Sequence, residues 1–257
     1  QDPRCAALAE QYDTRKTVDQ MQAGAIYERR IDASNDLRLM AYAGERSTTQ
    51  FQSIPPTAQL ASSSAGGVID LKRNYAGLDA RWTTRGRLAD RPFEGATGIA
   101  YDNLEEDRLG YNNFIGSPGS PTLGVQGRLR RDESNNVHNL DPYVQGKWQF
   151  ADRWSLEAGL RYSTVSFEST DHYIAPGNGN DSGSASYEEA LPVVALRYAP
   201  SSTLSLYGTW GRGYETPTLN ELSYRPDGQS GFNFGLQPST NDSFELGAKT
   251  LVANGFL

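Results

Sequence analysis

The chain has little of what most catalytic and soluble proteins rely on. It holds one cysteine in 257 residues, Cys5, so no disulfide can close within it. It holds two histidines, His138 and His172, and no further ligands at suitable spacing, which excludes a metal site. Lysine is scarce: Lys16, Lys72, Lys147 and Lys249 are the four among 24 basic residues. Positive charge is also short overall, 24 Lys+Arg against 31 Asp+Glu, a net charge of −7. A phosphate-backbone binder would carry a basic stripe, so no nucleic-acid partner is expected. Long apolar runs are missing. The longest, Ala190–Leu196, has seven residues and contains Pro192, whereas a membrane helix needs about 18. The opening Gln1-Asp2-Pro3-Arg4 has neither the charged nor the apolar region of a signal peptide. Gly211-Arg212-Gly213 lacks the third glycine of a nucleotide fingerprint and opens no helix. Ser169, Asp171 and His172 are near neighbours in sequence, which rarely build a hydrolase triad, and no cofactor or catalytic residue is assigned.

What is present is glycine (26 residues) and aromatics (4 Trp, 14 Tyr, 9 Phe), arranged with a period of two. Trp154, Leu156, Ala158, Leu160 and Tyr162 fall on one face, and Ser155, Glu157, Gly159, Arg161 and Ser163 on the other. Leu37–Gly44, Tyr143–Phe150 and Phe244–Lys249 split in the same way, and no charge enters the apolar face of these segments. Successive strand side chains point to opposite faces, so each segment is a strand with one apolar and one polar side. Short turns near Asp32–Asp36, Arg87–Pro92, Ala151–Arg153, Pro200–Thr203 and Val252–Gly255 alternate with long Gly/Ser/Asn/Pro loops near Thr49–Gly67, Arg108–Val137, Asp171–Ala185 and Pro217–Asn241. Trp82, Phe93, Trp148, Phe150 and Trp154 gather beside the short turns.

Short turns on one rim, long loops on the other and an interfacial aromatic girdle describe an outer-membrane β-barrel. A soluble sandwich or lipocalin-like barrel also alternates, but the charge-free apolar face and the girdle favour the membrane. The expected fold is all-β: an antiparallel transmembrane β-barrel segment, with nine full strands and a tenth beginning at Phe256. Bacterial barrels close with even strand numbers, and an open edge cannot face hydrocarbon. The whole of 1–257 is therefore expected to be one partial barrel of a larger protein.

One motif runs from a strand into a long loop: Gly211-Arg212-Gly213-Tyr214-Glu215-Thr216-Pro217-Thr218-Leu219-Asn220-Glu221-Leu222. It resembles the barrel of TonB-dependent outer-membrane receptors, where a strand ending in Gly-x-aromatic-x-x-Pro-x-x-x-Glu is common. Asp2-Pro3-Arg4 and Asp13-Thr14-Arg15-Lys16 look like an early loop and strand of the siderophore-receptor branch. Within that branch, Asn220–Arg225 and Asp171–Gly179 are most similar to receptors for pyrroloquinoline quinone. The resemblance implies a barrel of about 22 strands closed by an N-terminal plug, driven through TonB, ExbB and ExbD. It also implies a wall set in outer-membrane lipid and lipopolysaccharide, and a surface that phages or colicins exploit. Plug, TonB box and terminal aromatic strand are not in this sequence.

The polar residues point to a small anionic ligand. Arg38, Arg161, Arg197, Lys147 and Lys249 are expected to face inward, and Arg128, Arg130 and Arg131 cluster in one loop. Arg212 and Arg225 flank the motif, while Tyr111, Tyr173, Tyr214, Tyr224 and Phe232 offer aromatic faces. Arginine forks match carboxylates and rings stack on planar ligands. The candidate ligand-binding residues are thus Arg212, Tyr214, Tyr224, Arg225, Tyr173, Tyr111 and Arg130. A tricarboxylate quinone or a catecholate iron chelate fits this chemistry, and a ferric siderophore is the alternative ligand. An outer-membrane enzyme and a passive porin are the remaining readings. Against any ligand role stands a structural one, in which lumen charges satisfy each other, Arg161 with Glu157 and Lys249 with Glu245. Arginine is expected to be damaging at Leu160, on the lipid side, and mild at Ser163, on the lumen side.

Overall fold

The computed structural model describes residues 7–222, 225, 232–252 and 255–256. Cys5 and Tyr224 lie outside them. A short helix, α1 (Ala7–Gln11), leads into β1 (Arg15–Arg30), β2 (Asn35–Phe51), β3 (Val68–Leu88) and β4 (Arg91–Tyr111). A small hairpin follows, β5 (Phe114–Ser117) and β6 (Ser120–Leu123). Then come β7 (Leu129–Ala151), β8 (Trp154–Asp171), β9 (Gly183–Tyr198), β10 (Leu204–Glu215), α2 (Leu219–Leu222), β11 (Ser239–Val252) and β12 (Gly255–Phe256). Ten strands form one antiparallel meander in the order β1-β2-β3-β4-β7-β8-β9-β10-β11-β12, and β5-β6 is a separate two-stranded sheet.

The strands outrun the expectation from periodicity. β7 is 23 residues long and starts at Leu129, inside the segment expected to be loop. Its polar first half still pairs with β4, through Arg108↔Glu133 and Glu106↔Asn135. Above the membrane both faces of a strand are polar, so alternation disappears from the sequence while the backbone ladder continues.

Register places the apolar residues in one band. Leu39 opposes Ala80, Ala80 opposes Ile99, and Ile99 opposes Pro142. Leu160 opposes both Val144 and Pro192. On strands paired on both sides, Leu78 is 59% exposed and Val144 55%, which a hydrocarbon surround makes favourable. At the short-turn rim Trp148, Phe150, Trp154 and Tyr198 form a chain of rings with centroids 5.8, 6.5 and 4.5 Å apart. Indole N–H groups there find partners: Trp82 Nε1 donates to Asn35 Oδ1 at 3.2 Å and Trp148 Nε1 to the Leu88 carbonyl at 3.0 Å. An amphipathic ring with a satisfied polar tip belongs at the headgroup level.

The short turns are built from local chemistry. Ala89 and Asp90 have φ of 49° and 59°, the left-handed pair that a two-residue hairpin demands. In the β1–β2 turn, Asp32 Oδ1 accepts from the Ser34 N–H at 2.7 Å and the Asn35 N–H at 2.9 Å. These donors, that of Ser34 foremost, hold the Asp32 carboxyl below its ordinary range.

The lumen face is polar and tightly fitted. A methyl group on Gly77 would collide with Tyr42 and Asp102, and one on Gly98 with Tyr143. The tyrosine rings occupy the space a side chain there would need, and Tyr42 donates to Asp102. In the membrane-spanning part of the wall, charges pair across strands. Lys147 Nζ meets Glu157 Oε1 at 2.9 Å, and Arg161 sits 3.9 Å from Asp141 and over the Tyr143 ring at 5.6 Å. Lys249 lies over Tyr207, whose hydroxyl donates to Glu245 at 2.6 Å. The expected pairs Arg161–Glu157 and Lys249–Glu245 do not form. Residues four apart on a strand stand about 13 Å from each other, whereas cross-strand neighbours are about 5 Å apart. Ser163 is buried and donates to Asp141 at 2.9 Å, so it is not the tolerant lumen position expected of it.

Candidate functional site

The long-loop rim is held by two sets of contacts. In the first, the loop after β2 is clasped to the loop after β4 by two buried side-chain amides. Gln59 Nε2 donates to Asn113 Oδ1 at 2.7 Å, and the Asn113 N–H returns a bond to Gln59 Oε1 at 3.2 Å. Asn113 Nδ2 also donates to the carbonyls of Gln52 and Ile54, at 2.7 and 3.0 Å. Arg130 donates to the carbonyls of Ala61 and Ser64, and so pins the same loop. Arg15 lies over Phe51, 3.5 Å from the ring centroid, and donates to the Gly124 carbonyl at 3.3 Å.

The second set lies over the lumen wall of β7–β9. Phe167, Ala185, Tyr187, Leu222 and Phe232 form a buried apolar cluster, with Val137, Val165 and Tyr214 packed against it. It sets Leu222 and Phe232 against Phe167 and Tyr187 of the wall. A reciprocal cap starts α2: the Thr218 N–H donates to Glu221 Oε2 at 2.8 Å and the Glu221 N–H to Thr218 Oγ1 at 3.3 Å. Thr218-x-x-Glu221 is a capping box, a sequence signal that the family motif concealed. The Thr218 N–H, with the hydroxyl behind it, holds the Glu221 carboxyl below its ordinary value.

Between these loops the lumen wall carries a patch of paired but uneven charge. Arg73 meets Glu106 at 2.5 Å, and Asn135 Nδ2 donates to Glu106 Oε1 at 3.2 Å. Arg131 Nε lies 3.0 Å from Glu133 Oε1, and Arg108 stands opposite Glu133 on the next strand. Arg46 stands opposite Arg73. Asp171 opposes Glu133 from β8, so four guanidinium groups stand near three carboxylates, and Arg46 pairs with none of them. Glu133 Oε2, Asn135 Oδ1 and Arg46 Nε are buried without a hydrogen-bond partner. Buried polar atoms are normally satisfied, so this wall presents unused donors and acceptors.

The sequence-derived candidates fall in different places. Arg212 bridges Glu189 and Asp242, at 3.3 Å from each. Tyr214 joins the apolar cluster with its hydroxyl buried and unpartnered. Tyr173 is fixed through its backbone, its N–H on Asp171 Oδ1 at 2.8 Å and its carbonyl on Asn178 Nδ2 at 2.7 Å. Tyr111 closes β4 opposite Val68 and Leu129. Arg130 serves the rim loop, and Arg225 lies in the loop beyond α2. Arg212 and Tyr214 lie on one strand, across the sheet from Tyr111 and Arg130. Sequence reasoning missed Arg46, Arg73 and Arg108. Strict parity from Tyr42 and Tyr75 would have put Arg46 and Arg73 on the lumen face, but Arg108 was hidden inside an expected loop.

Ser169, Asp171 and His172 are turned to different partners. Both Asp171 carboxylate oxygens accept backbone N–H groups, from Tyr173 and Asp181. Ser169 is buried on the lumen side, while His172 Nε2 lies 3.3 Å from Ser134 Oγ instead. No group of three or more potential metal ligands occurs among the described residues.

A lipid-facing band, a girdle, a packed polar lumen and interlocked outer loops define the wall and rim of an outer-membrane receptor barrel. Residues 6–257 match the family described as TonB dependent receptor-like, beta-barrel, and the chain belongs to that family. Its place is the bacterial outer membrane. Solved structures share the fold. The siderophore receptor PiuA from Acinetobacter baumannii superposes with a TM-score of 0.74 at 12% identity, over 95% of this chain and 39% of that one. The ferric citrate transporter FecA gives 0.69 at 16% identity, over 92% and 33%. The copper transporter OprC gives 0.63 at 16%, over 93% and 37%. The chain therefore spans between a third and two fifths of these structures' own length.

Proposed function

We propose that residues 1–257 are a partial barrel of a receptor that takes up a scarce, small anionic molecule across the outer membrane. The energy comes through TonB, ExbB and ExbD, acting on a plug in the remainder of the protein. The wall sits in outer-membrane lipid and lipopolysaccharide, and the protein transports without catalysing a reaction. The observation that carries this reading is the lumen patch below the outer loops. There Arg46, Arg73, Arg108 and Arg131 stand near Glu106, Glu133 and Asp171, with polar atoms of Arg46, Glu133 and Asn135 left over. An anion rich in oxygen supplies acceptors for the spare guanidinium hydrogens, and charged hydrogen bonds of this kind are the strong ones.

Pyrroloquinoline quinone is the ligand this reading favours, as a planar tricarboxylate suited to arginine forks and to tyrosine faces. Arg212, Tyr214, Tyr224, Arg225, Tyr173, Tyr111 and Arg130 are its outer contacts in this reading, above the arginine patch. A ferric siderophore is the second reading. It is favoured by structural neighbours that are named as siderophore and ferric citrate proteins. The test is equilibrium binding of pyrroloquinoline quinone, and separately of ferric catecholates, to the full-length receptor and to its Arg108→Ala and Arg225→Ala variants. Binding of the quinone alone, weakened at least about tenfold, or 1.4 kcal/mol, in both variants, supports the first reading. Binding of the iron chelates alone moves the assignment to the second. Unchanged affinity for whichever ligand binds removes these arginines from the site.

A further inference from the structure

Three buried carboxylates, Glu106, Glu133 and Asp171, lie among the arginines of the outer lumen wall, and they are not equally satisfied. Glu106 Oε2 accepts from Arg73 Nε at 2.5 Å and its Oε1 from Asn135 Nδ2 at 3.2 Å. Both oxygens of Asp171 accept backbone N–H groups, from Tyr173 at 2.8 Å and from Asp181 at 3.1 Å. Glu133 Oε1 meets Arg131 Nε at 3.0 Å, but its Oε2 is buried without a hydrogen-bond partner among the described residues. Asn135 Oδ1, on the same face of β7, also lacks a donor. An ionised carboxylate only accepts, whereas a protonated one also donates. Glu133 is thus the one carboxylate of the three on which a proton displaces no existing hydrogen bond.

Its surroundings act in the same direction. Glu133 is 5% exposed, and this chain alone buries it, so a plug or further strands can only deepen that burial. Asp171 of β8 stands opposite it, as does Arg108 of β4, with Glu106 also on β4 and Arg131 on its own strand. Arg73 of β3 is taken up by Glu106, and Arg46 of β2 stands beyond Arg73. His172, beside Asp171, is turned to Ser134. Burial pushes the Glu133 carboxyl above its ordinary value. Arg131 and Arg108 pull the other way, and the charges of Asp171 and Glu106 add to the upward push.

We propose that Glu133 makes anion capture at the arginine patch proton-linked: the anion binds together with one proton on this carboxyl, so affinity rises as the medium becomes more acidic. The inference rests on the uptake reading above and concerns the regulation of that same site. With Glu133 ionised, four guanidinium groups stand among three carboxylates. With Glu133 protonated they stand among two, and the patch offers one more positive charge to an arriving anion. The bound anion, a further negative charge beside Glu133, raises its carboxyl again. The linkage is reciprocal, so the factor by which the proton strengthens anion binding is the factor by which the anion strengthens proton binding. Affinity therefore climbs as pH falls through the higher, bound-state pKa and levels off below the lower, free-state one.

The experiment measures equilibrium binding of pyrroloquinoline quinone, and separately of a ferric catecholate, to the purified full-length receptor from about pH 8 to about pH 5. Wild type, Glu133→Gln and Asp171→Asn are compared at each pH, so that titration of the ligand itself cancels in the ratios. Glu133→Gln imitates the protonated form throughout. The wild type should bind about fivefold or more weakly than Glu133→Gln at the alkaline end, and match it within about twofold at the acid end. Asp171→Asn, which retains Glu133, should keep a pH-dependent ratio to Glu133→Gln. A ratio of wild type to Glu133→Gln that stays constant across the range overturns the inference. So does a pH dependence that disappears in Asp171→Asn and persists in Glu133→Gln. Should Glu133→Gln fail to assemble, calorimetry of the wild type in two buffers of different ionisation enthalpy decides. Net proton uptake on binding supports the inference, and none overturns it. Failure of the wild type to bind either anion at any pH counts instead against the uptake reading, and the inference falls with it.

Discussion

Gly77 and Gly86 lie on one strand, yet a single methyl group would meet different fates at each. At Gly77 it would enter space filled by Tyr42 and Asp102, and at Gly86 nothing lies within 4 Å. Overpacking of this kind typically costs about 1–3 kcal/mol. Gly77→Ala should lower the denaturant midpoint of the full-length receptor by a corresponding amount, and Gly86→Ala should leave it unchanged. A second contrast concerns the two faces of the wall. Leu160, 47% exposed on the outer face, opposes Val144 and Pro192. Leu160→Arg should block assembly, since arginine at mid-membrane costs roughly 2–4 kcal/mol. Gln145 is exposed on the lumen side and makes a better partner in the comparison than buried Ser163. Gln145→Arg should assemble normally, as read by heat-modifiable migration on gels. Parity was enough to tell the two faces apart in the sequence. Crowding was not legible, because the burial of Ser163 depends on Asp141 from the neighbouring strand, and register is a property of pairs.

At the scale of elements, the rim loops are held by polar contacts that spacing alone does not announce. Gln59 and Asn113 lie far apart in sequence, and each is an unremarkable residue in a Gly/Ser/Pro-rich loop. Their reciprocal amides are buried at 1% and 0% exposure, where an unmade hydrogen bond costs about 1–3 kcal/mol. Gln59→Ala should speed protease cleavage within residues 52–67 of the intact receptor while leaving the wall assembled. The loop after β10 carries its own acid sensitivity. Glu221 is held below its unfolded value by the Thr218 N–H. Its contribution is therefore present above the unfolded pKa and is lost as pH falls through the lower, folded one. Hydrogen exchange at the Leu222 amide, which bonds to the Thr218 carbonyl at 2.9 Å, should accelerate on acidification once corrected for intrinsic rates. Glu221→Gln keeps an acceptor in the cap and should abolish that pH dependence. The turns, loops and strand order were legible in the sequence because each follows local patterning. The β5–β6 hairpin and the upper half of β7 were not, since polar strands clear of the membrane lack alternation.

For the whole molecule, the sheet is open. β1 pairs with β2 alone, and all 16 of its residues are exposed. An unpaired edge of that length templates association with other strands. Residues 1–257 expressed by themselves should give aggregated or polydisperse material in detergent, and size-exclusion chromatography reads the outcome. A single compact, protease-resistant monomer would show that the strands close on themselves. The barrel class was legible because it rests on repetition across many segments. The arginine patch was not, because it gathers Arg46, Arg73, Arg108 and Arg131 from four strands, and only the finished sheet makes them neighbours.

The Gln59–Asn113 clasp also bears on the order of assembly. Each wall strand in the meander pairs with its sequence neighbours, or across the small β5–β6 excursion, so hairpins can form singly and early, before distant parts of the chain meet. The clasp cannot form in that way. It joins the loop after β2 to the loop after β4, so the strands from β2 to β4 must already stand in register before the two amides come within reach. Closure of the rim therefore reports that the wall beneath it is correctly aligned, and a barrel with a slipped strand would display loose loops at the cell surface.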